Sequence, residues 1–241
     1  MAVTPQERQF LLDQVSQQAN SDLRNLWGYA AGLATVEFAS LLVDGFPKLA
    51  DPYVELSSRL SATWFELSEP TSPYVAVTAP PIPVERLTKS AEWALGAPGD
   101  EGLARLEGSL QRAVYDGARD TIVLNVDTTG SYWVRHANAN ACAFCRMLAT
   151  RHSDKRWWYR SAKSALDVVG RGGQGRGKRA VGSTGYHDHC RCIAVEVREG
   201  QEYEPPEYVQ AWDDEYQKAR ANAGSGDPKK ILAAWRQQGV S

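Results

Sequence analysis

The chain has 241 residues, 43% hydrophobic and 23% charged, with a formal net charge of -2. That length and balance suit an ordinary globular protein with a sizeable core, not a disordered chain or a uniformly basic nucleic-acid binder. No apolar run reaches the 18 or so residues of a membrane span, and the opening Met1–Arg8 lacks the basic-then-apolar pattern of a secretory signal, so no membrane role and a cytosolic, thiol-preserving compartment are expected.

Read in chain order, the first element is a helix. Leu11, Val15, Ala19, Leu23 and Trp27 recur every four residues and line one helical face. A second helix is predicted over about Ala34–Val43, stopped near Gly45-Phe46-Pro47, and a third over about Asp51–Leu67. Pro70, Pro73, Pro80, Pro81 and Pro83 then make residues 70–83 an extended connection, because proline fixes φ and removes a donor. Helical patterning resumes over Val84–Leu95 and again through Leu103, Leu106, Leu110 and Val114. The texture changes after Thr128-Thr129-Gly130, where cysteines, histidines, glycines and basic residues crowd together. Ile193–Val197 reads as a short β-branched strand. Past the stiff Glu204-Pro205-Pro206, Tyr208, Trp212, Tyr216 and Ala219 mark another helix. Asp227-Pro228 supplies a cap and a first-turn proline for a last one carrying Ile231, Leu232 and Trp235. The expected fold is mostly α. It has a helical N-terminal region (1–128), a small α+β Cys/His module (129–200), and a linker with a helical C-terminal tail (201–241). Whether the tail is peripheral or packs on a partner is open at this point.

All four cysteines fall in two tight pairs, Cys142-Ala143-Phe144-Cys145 and Cys190-Arg191-Cys192, with His187 and His189 beside the second. A C-x-x-C pair at a turn or helix start, and a C-x-C pair on extended chain, each bring two sulfurs to one side. Facing each other, they supply the tetrahedral set that zinc prefers. The favoured ligands are Cys142, Cys145 and Cys190, completed by Cys192 or His187, with Zn2+ in a structural role. Two disulfides are the other reading of the same spacing.

The order Cys142-x-x-Cys145, a long gap, then His187-x-x-Cys190-Arg191-Cys192 resembles the signature of the Mu F-like minor head proteins of tailed phages. Flanking Trp133-Val134-Arg135, Ala139–Arg146 and the strand after Cys192 agree with it, and the whole chain looks like the minor capsid proteins of actinobacteriophages. His187-Asp188 stands where the family has His-Pro. The motif covers about residues 131–197. The resemblance implies a virion component of few copies, inside the capsid near the portal. It would assemble in the host cytoplasm with the portal protein and with major capsid or scaffold protein as partners. It would act in head morphogenesis, DNA packaging or ejection. Relatives are often labelled capsid maturation proteases, which is the alternative function.

Protease chemistry needs a nucleophile beside a base. Neither G-x-S-x-G nor H-E-x-x-H occurs. Cys145 with His187 or His136 is the available Cys–His pair, and Glu196 the nearest carboxylate for a metal-assisted reaction. His136 and His152 otherwise read as ordinary structural or surface histidines. Gly172–Arg179 nearly matches a phosphate-binding loop, but Arg179 occupies the hydroxyl position, so a glycine-rich basic loop is the simpler reading. Residues 146–191 carry 11 Lys/Arg against 3 Asp/Glu, while residues 1–145 carry 10 against 17. Arg171, Arg176, Lys178 and Arg179 are the candidates for DNA or acidic-partner contact within residues 146–191. Lys155, Arg156, Trp157, Trp158, Tyr159 and Arg160 interleave charge with aromatic rings, the aromatics reading first as core.

Overall fold

A computed structural model describes residues 3–150, 158–161 and 189–239. Among them are seven helices and one two-stranded sheet: α1 (Pro5–Ala30), α2 (Thr35–Leu67), α3 (Val84–Leu95), α4 (Gly99–Thr129), β1 (Tyr132–His136), α5 (Ala143–Ala149), β2 (Ile193–Val197), α6 (Tyr208–Ala223) and α7 (Pro228–Gln237). The fold is mostly helical with a small α+β region around the cysteines, as the sequence patterning implied. No helix among the described residues is long and apolar enough to cross a membrane.

Local chemistry sets the helix ends. Thr4 caps α1, its hydroxyl accepting from the Glu7 amide while the Glu7 carboxylate accepts from the Thr4 amide at 2.8 Å. The last helix starts on Asp227, whose carboxylate accepts from the Lys229 amide at 2.9 Å, with Pro228 in the first turn. Gly130 ends α4 with φ of 69°, a conformation that favours glycine.

Two expectations need correction. The buried stripe of α1 runs through Leu12, Ser16, Ala19 and Leu23, whereas Leu11 faces outward. Strict four-residue spacing drifts around a helix of 3.6 residues per turn, so a pattern begun at Leu11 starts off the core side and moves onto it, with Val15, Ala19, Leu23 and Trp27 all packed on the core. The two helices predicted on either side of Gly45-Phe46-Pro47 form one helix, α2, which continues through Pro47 and Pro52. Each proline removes one helical hydrogen bond, a local penalty of about 3 kcal/mol in a helix interior. Around them Leu42, Phe46, Ala50 and Val54 are all buried, and packing on both sides of the prolines keeps the axis continuous.

The body is built by α2 against α4, with α1 and α3 alongside. The α2–α4 crossing is close because α4 presents Gly117. A Cβ there would lie 2.9 Å from Ser57 Oγ, Ser58 Oγ and the Val54 carbonyl oxygen. Ser57 also donates to the Val114 carbonyl at 2.7 Å, fastening the helices where their backbones meet.

The connection after α2 is extended, as its prolines predicted, and α4 straps it down. The Asn125 amide pairs with the backbone of Val77 in both senses, accepting from its N–H at 2.9 Å and donating to its carbonyl at 2.7 Å. Thr121 accepts from the Ala79 amide at 3.0 Å.

Past α4, β1 pairs antiparallel with β2, Val134 opposite Val195. On β1's other side, Trp133 and Tyr159 exchange backbone hydrogen bonds of 2.8 and 2.9 Å, and their rings lie 4.4 Å apart. Tyr159 is thus core, in line with the reading of the aromatic run. Residues Ile193, Val195 and Val197 pack with Leu12, Trp64 and Tyr115 of the helical body. A second apolar cluster joins Phe65, Ile122 and Val126 of the body to Trp133, the cysteines, and Trp212, Ile231 and Trp235 of the tail. The tail pair therefore packs on α5 within the chain.

Candidate metal centre

The C-x-x-C pair straddles the start of α5. Cys142 is the residue before the helix, in extended conformation, and Cys145 is in its first turn. Three-residue spacing puts both side chains on one side of that turn. The C-x-C pair lies on chain leading directly into β2, and His189 before it adopts a left-handed φ of 59°. That turn sends the His189 ring away onto α4. A Cβ at Gly108 would be only 2.5 Å from the ring's Cε1, so glycine there makes room for it.

Cys145, Cys190 and Cys192 converge in the buried interior, their sulfurs all within 4.8 Å of one another. The Cys145 and Cys190 sulfurs are 3.5 Å apart, a thiol contact far longer than a disulfide bond of about 2.05 Å. Metal–sulfur bonds of about 2.3 Å in a tetrahedron require sulfur–sulfur edges of roughly 3.8 Å. The trio fits a metal ion by this geometric test. Cys142, half-buried, hydrogen-bonds with Cys145 but is not one of the compact trio.

Within the cluster Cys190 carries the negative charge most readily. Hydrogen bonds from Cys145 and Cys192 hold its thiol well below the ordinary range, and the guanidinium groups of Arg119 and Arg135 add to this. The Cys145 thiol is pushed up by its contacts with Cys142, Cys190 and Cys192 and by burial.

The surrounding groups are engaged in structure. Glu196 forms a buried two-pronged pair with Arg8 at 2.7 and 2.8 Å, so both oxygens are occupied by a guanidinium. Its role as a base is not supported by that arrangement. His136 is buried, with Nδ1 2.7 Å from the Tyr203 hydroxyl, not paired with Cys145. Burial and the charge of Arg8 lower its pKa to about 4, so it is neutral. His187, His152, Lys155, Arg156, Trp157, Arg171, Arg176, Lys178 and Arg179 lie outside the described residues.

Sequence reading missed the groups that hold the C-x-C pair from behind. Arg119 of α4, fully buried, donates from Nε to the Cys192 carbonyl at 2.8 Å and from Nη2 to the Cys190 carbonyl at 2.6 Å. Gln9 of α1 donates to the Arg191 carbonyl between them at 2.9 Å. The available signal was faint: an arginine inside the apolar stripe of α4, flanked by Ala118 and Ile122.

A family model described as VG15 protein matches residues 5–219. The chain belongs to the VG15 protein family. The family is phage-associated, which makes this a phage protein of virion-gene type. The VG15 match runs from the first turn of α1 into α6, so the helical body and both cysteine pairs fall inside one family unit. No curated protein matches the chain, and no solved structure does.

Proposed function

We propose that this VG15-family chain is a minor capsid protein of the Mu F-like kind, placed inside the head beside the portal and acting in head assembly. A structural zinc ion would be bound by Cys145, Cys190, Cys192 and either Cys142 or His187. The observation that carries the reading is the convergence of three buried thiols from two distant cysteine pairs, in a chain of a phage-associated family. Structural zinc takes four protein ligands and keeps no position open for water, whereas catalytic zinc must. The buried trio, the occupied Glu196 and the neutral His136 held by Tyr203 favour the structural role over capsid maturation protease. Portal protein is the expected partner, with major capsid or scaffold protein second. DNA contact through residues 146–191 is compatible with the same position in the particle.

Locating the chain in intact heads tests the placement, and density on the outer capsid surface or only in the tail would refute it. Incubating purified protein with purified capsid precursor tests the enzyme alternative. Specific cleavage, lost in a folded Cys145→Ser variant, would establish the protease instead.

A further inference from the structure

We infer that Arg119 is a positioning residue for the metal centre, holding the Cys190-Arg191-Cys192 knuckle in ligand geometry from the core of α4; this rests on the metal reading above. A C-x-C pair presents both sulfurs to one ion only if the backbone between them is held in one conformation. Here three successive carbonyls of the knuckle are each taken by a side chain from the helical body. Arg119 holds the first and third at 2.6 and 2.8 Å, and Gln9 the middle one at 2.9 Å. The guanidinium is itself fixed. It is completely buried, and Asp116 Oδ1 lies 3.3 Å from its Nη1. Asp116 in turn is held by Arg86 at 2.7 Å. No aliphatic residue supplies these donors, and lysine lacks the planar fork that reaches two carbonyls at once.

Charge points the same way as geometry. Zinc with three or four thiolates keeps an excess negative charge, and burying it is costly without a cation nearby. Arg119 is completely buried and bonded to the backbone of both Cys190 and Cys192, so its positive charge lies against the ligand-bearing chain. Arg119 thus does two things, fixing the ligand backbone and offsetting ligand charge. Both are roles that outer-sphere partners play at metal sites.

The test uses the full-length reduced protein and cobalt(II), whose thiolate charge-transfer and d–d bands report ligand number and tetrahedral geometry. Affinity is measured by competition with a chromophoric chelator. Arg119→Met should bind cobalt about 10- to 100-fold more weakly, the usual scale for losing an outer-sphere partner, with weaker d–d bands at saturation. Arg119→Lys should fall between Met and wild type, since it restores charge but not the fork. Leu110→Ala, which opens a cavity in the helical core away from the cysteines, serves as the destabilised control and should keep wild-type affinity and bands. Equal losses in Leu110→Ala and Arg119→Met would overturn the proposal, because general destabilisation would then explain both. Wild-type affinity and bands in both Arg119 variants would also overturn it, leaving the metal reading intact. Wild-type protein showing no thiolate–cobalt bands would sink the metal reading itself. Where Arg119→Met yields no folded protein, Arg119→Lys decides alone, and a cobalt site indistinguishable from wild type counts against the proposal.

Discussion

The two halves of the cysteine cluster are held by different physics. The C-x-C half is fixed by hydrogen bonds, with Arg119 and Gln9 reaching from the helical body to its carbonyls. The C-x-x-C half rides on a seven-residue helix, too short to be stable alone. What holds that helix is apolar packing: Met147 and Leu148 share a cluster with Phe65, Ile122 and Val126 of the body and with Trp212, Ile231 and Trp235 of the tail, which covers it. Arg146 adds a bridge, its guanidinium 5.1 Å from the centre of the Trp212 ring and 3.6 Å from Glu215. One half is thus preset by the body, and the other depends on the tail closing over it. A metal ion shared between them would tie the two together.

The largest expected effect comes from removing that tie. Structural zinc contributes on the order of 10 kcal/mol in small zinc domains. Chelation under reducing conditions, or Cys145→Ser, should therefore cost more than any other single change described here. Hydrogen exchange should rise first in α5, α6 and α7 and last in α4. Uniform exchange across all of them would erase the asymmetry between the halves.

Next is Trp235→Ala, which removes a fully buried ring whose indole N–H donates to Glu215 at 3.1 Å. A buried tryptophan truncated to alanine costs about 3–5 kcal/mol. In denaturant, Cys142 and Cys145 should then become open to alkylation before Cys190 and Cys192. Simultaneous labelling of both pairs would show that the halves open together.

A third prediction concerns pH on the body side of the sheet. His136 has its folded pKa lowered to about 4, against 6.5 for an ordinary histidine, because it is buried and near Arg8. Between those values the unfolded chain binds more protons than the folded one, so stability falls as pH drops below about 6.5 and levels off below about 4. The loss is about 3 kcal/mol at 1.36 kcal/mol per unit. Comparing wild type with His136→Gln across that window checks it, and parallel stability curves would remove His136 as the cause.

The smallest effect tests the tail from its other end. Asp227→Ala should cost about 1 kcal/mol, the usual scale for a lost helix cap. It should loosen α7 and, through it, only the C-x-x-C half. A change in the environment of Cys190 larger than that of Cys145 would contradict the division.

Much of this architecture is legible in the sequence because it follows from local rules. Val84–Leu95 and Ile193–Val197 appear with the predicted bounds, and the Asp227-Pro228 start of the last helix is where its cap places it. The clustering of cysteines into pairs identified the candidate centre. What stayed hidden depends on distant partners. The continuity of α2 through Pro47 is decided by neighbours packed around it, β1 by its pairing with a strand some 60 residues later, and the Arg119 clamp by a contact spanning 73 positions. Neither residue type nor spacing marks a side chain that binds another segment's carbonyls.

The strap between α2 and α3 illustrates how such contacts shape divergence. Asn125 and Thr121 take main-chain atoms of Val77 and Ala79, and Asn125 also accepts from the Tyr74 hydroxyl at 2.8 Å. The outward side chains at positions 75, 77 and 78 take no part in that recognition, so relatives can change them freely. The spacing from Glu69 to Val84 is another matter, because one inserted residue would carry the paired amide and carbonyl out of reach of Asn125. Across homologues this stretch should vary at those outward positions while keeping its length and the hydroxyl-bearing ring of Tyr74.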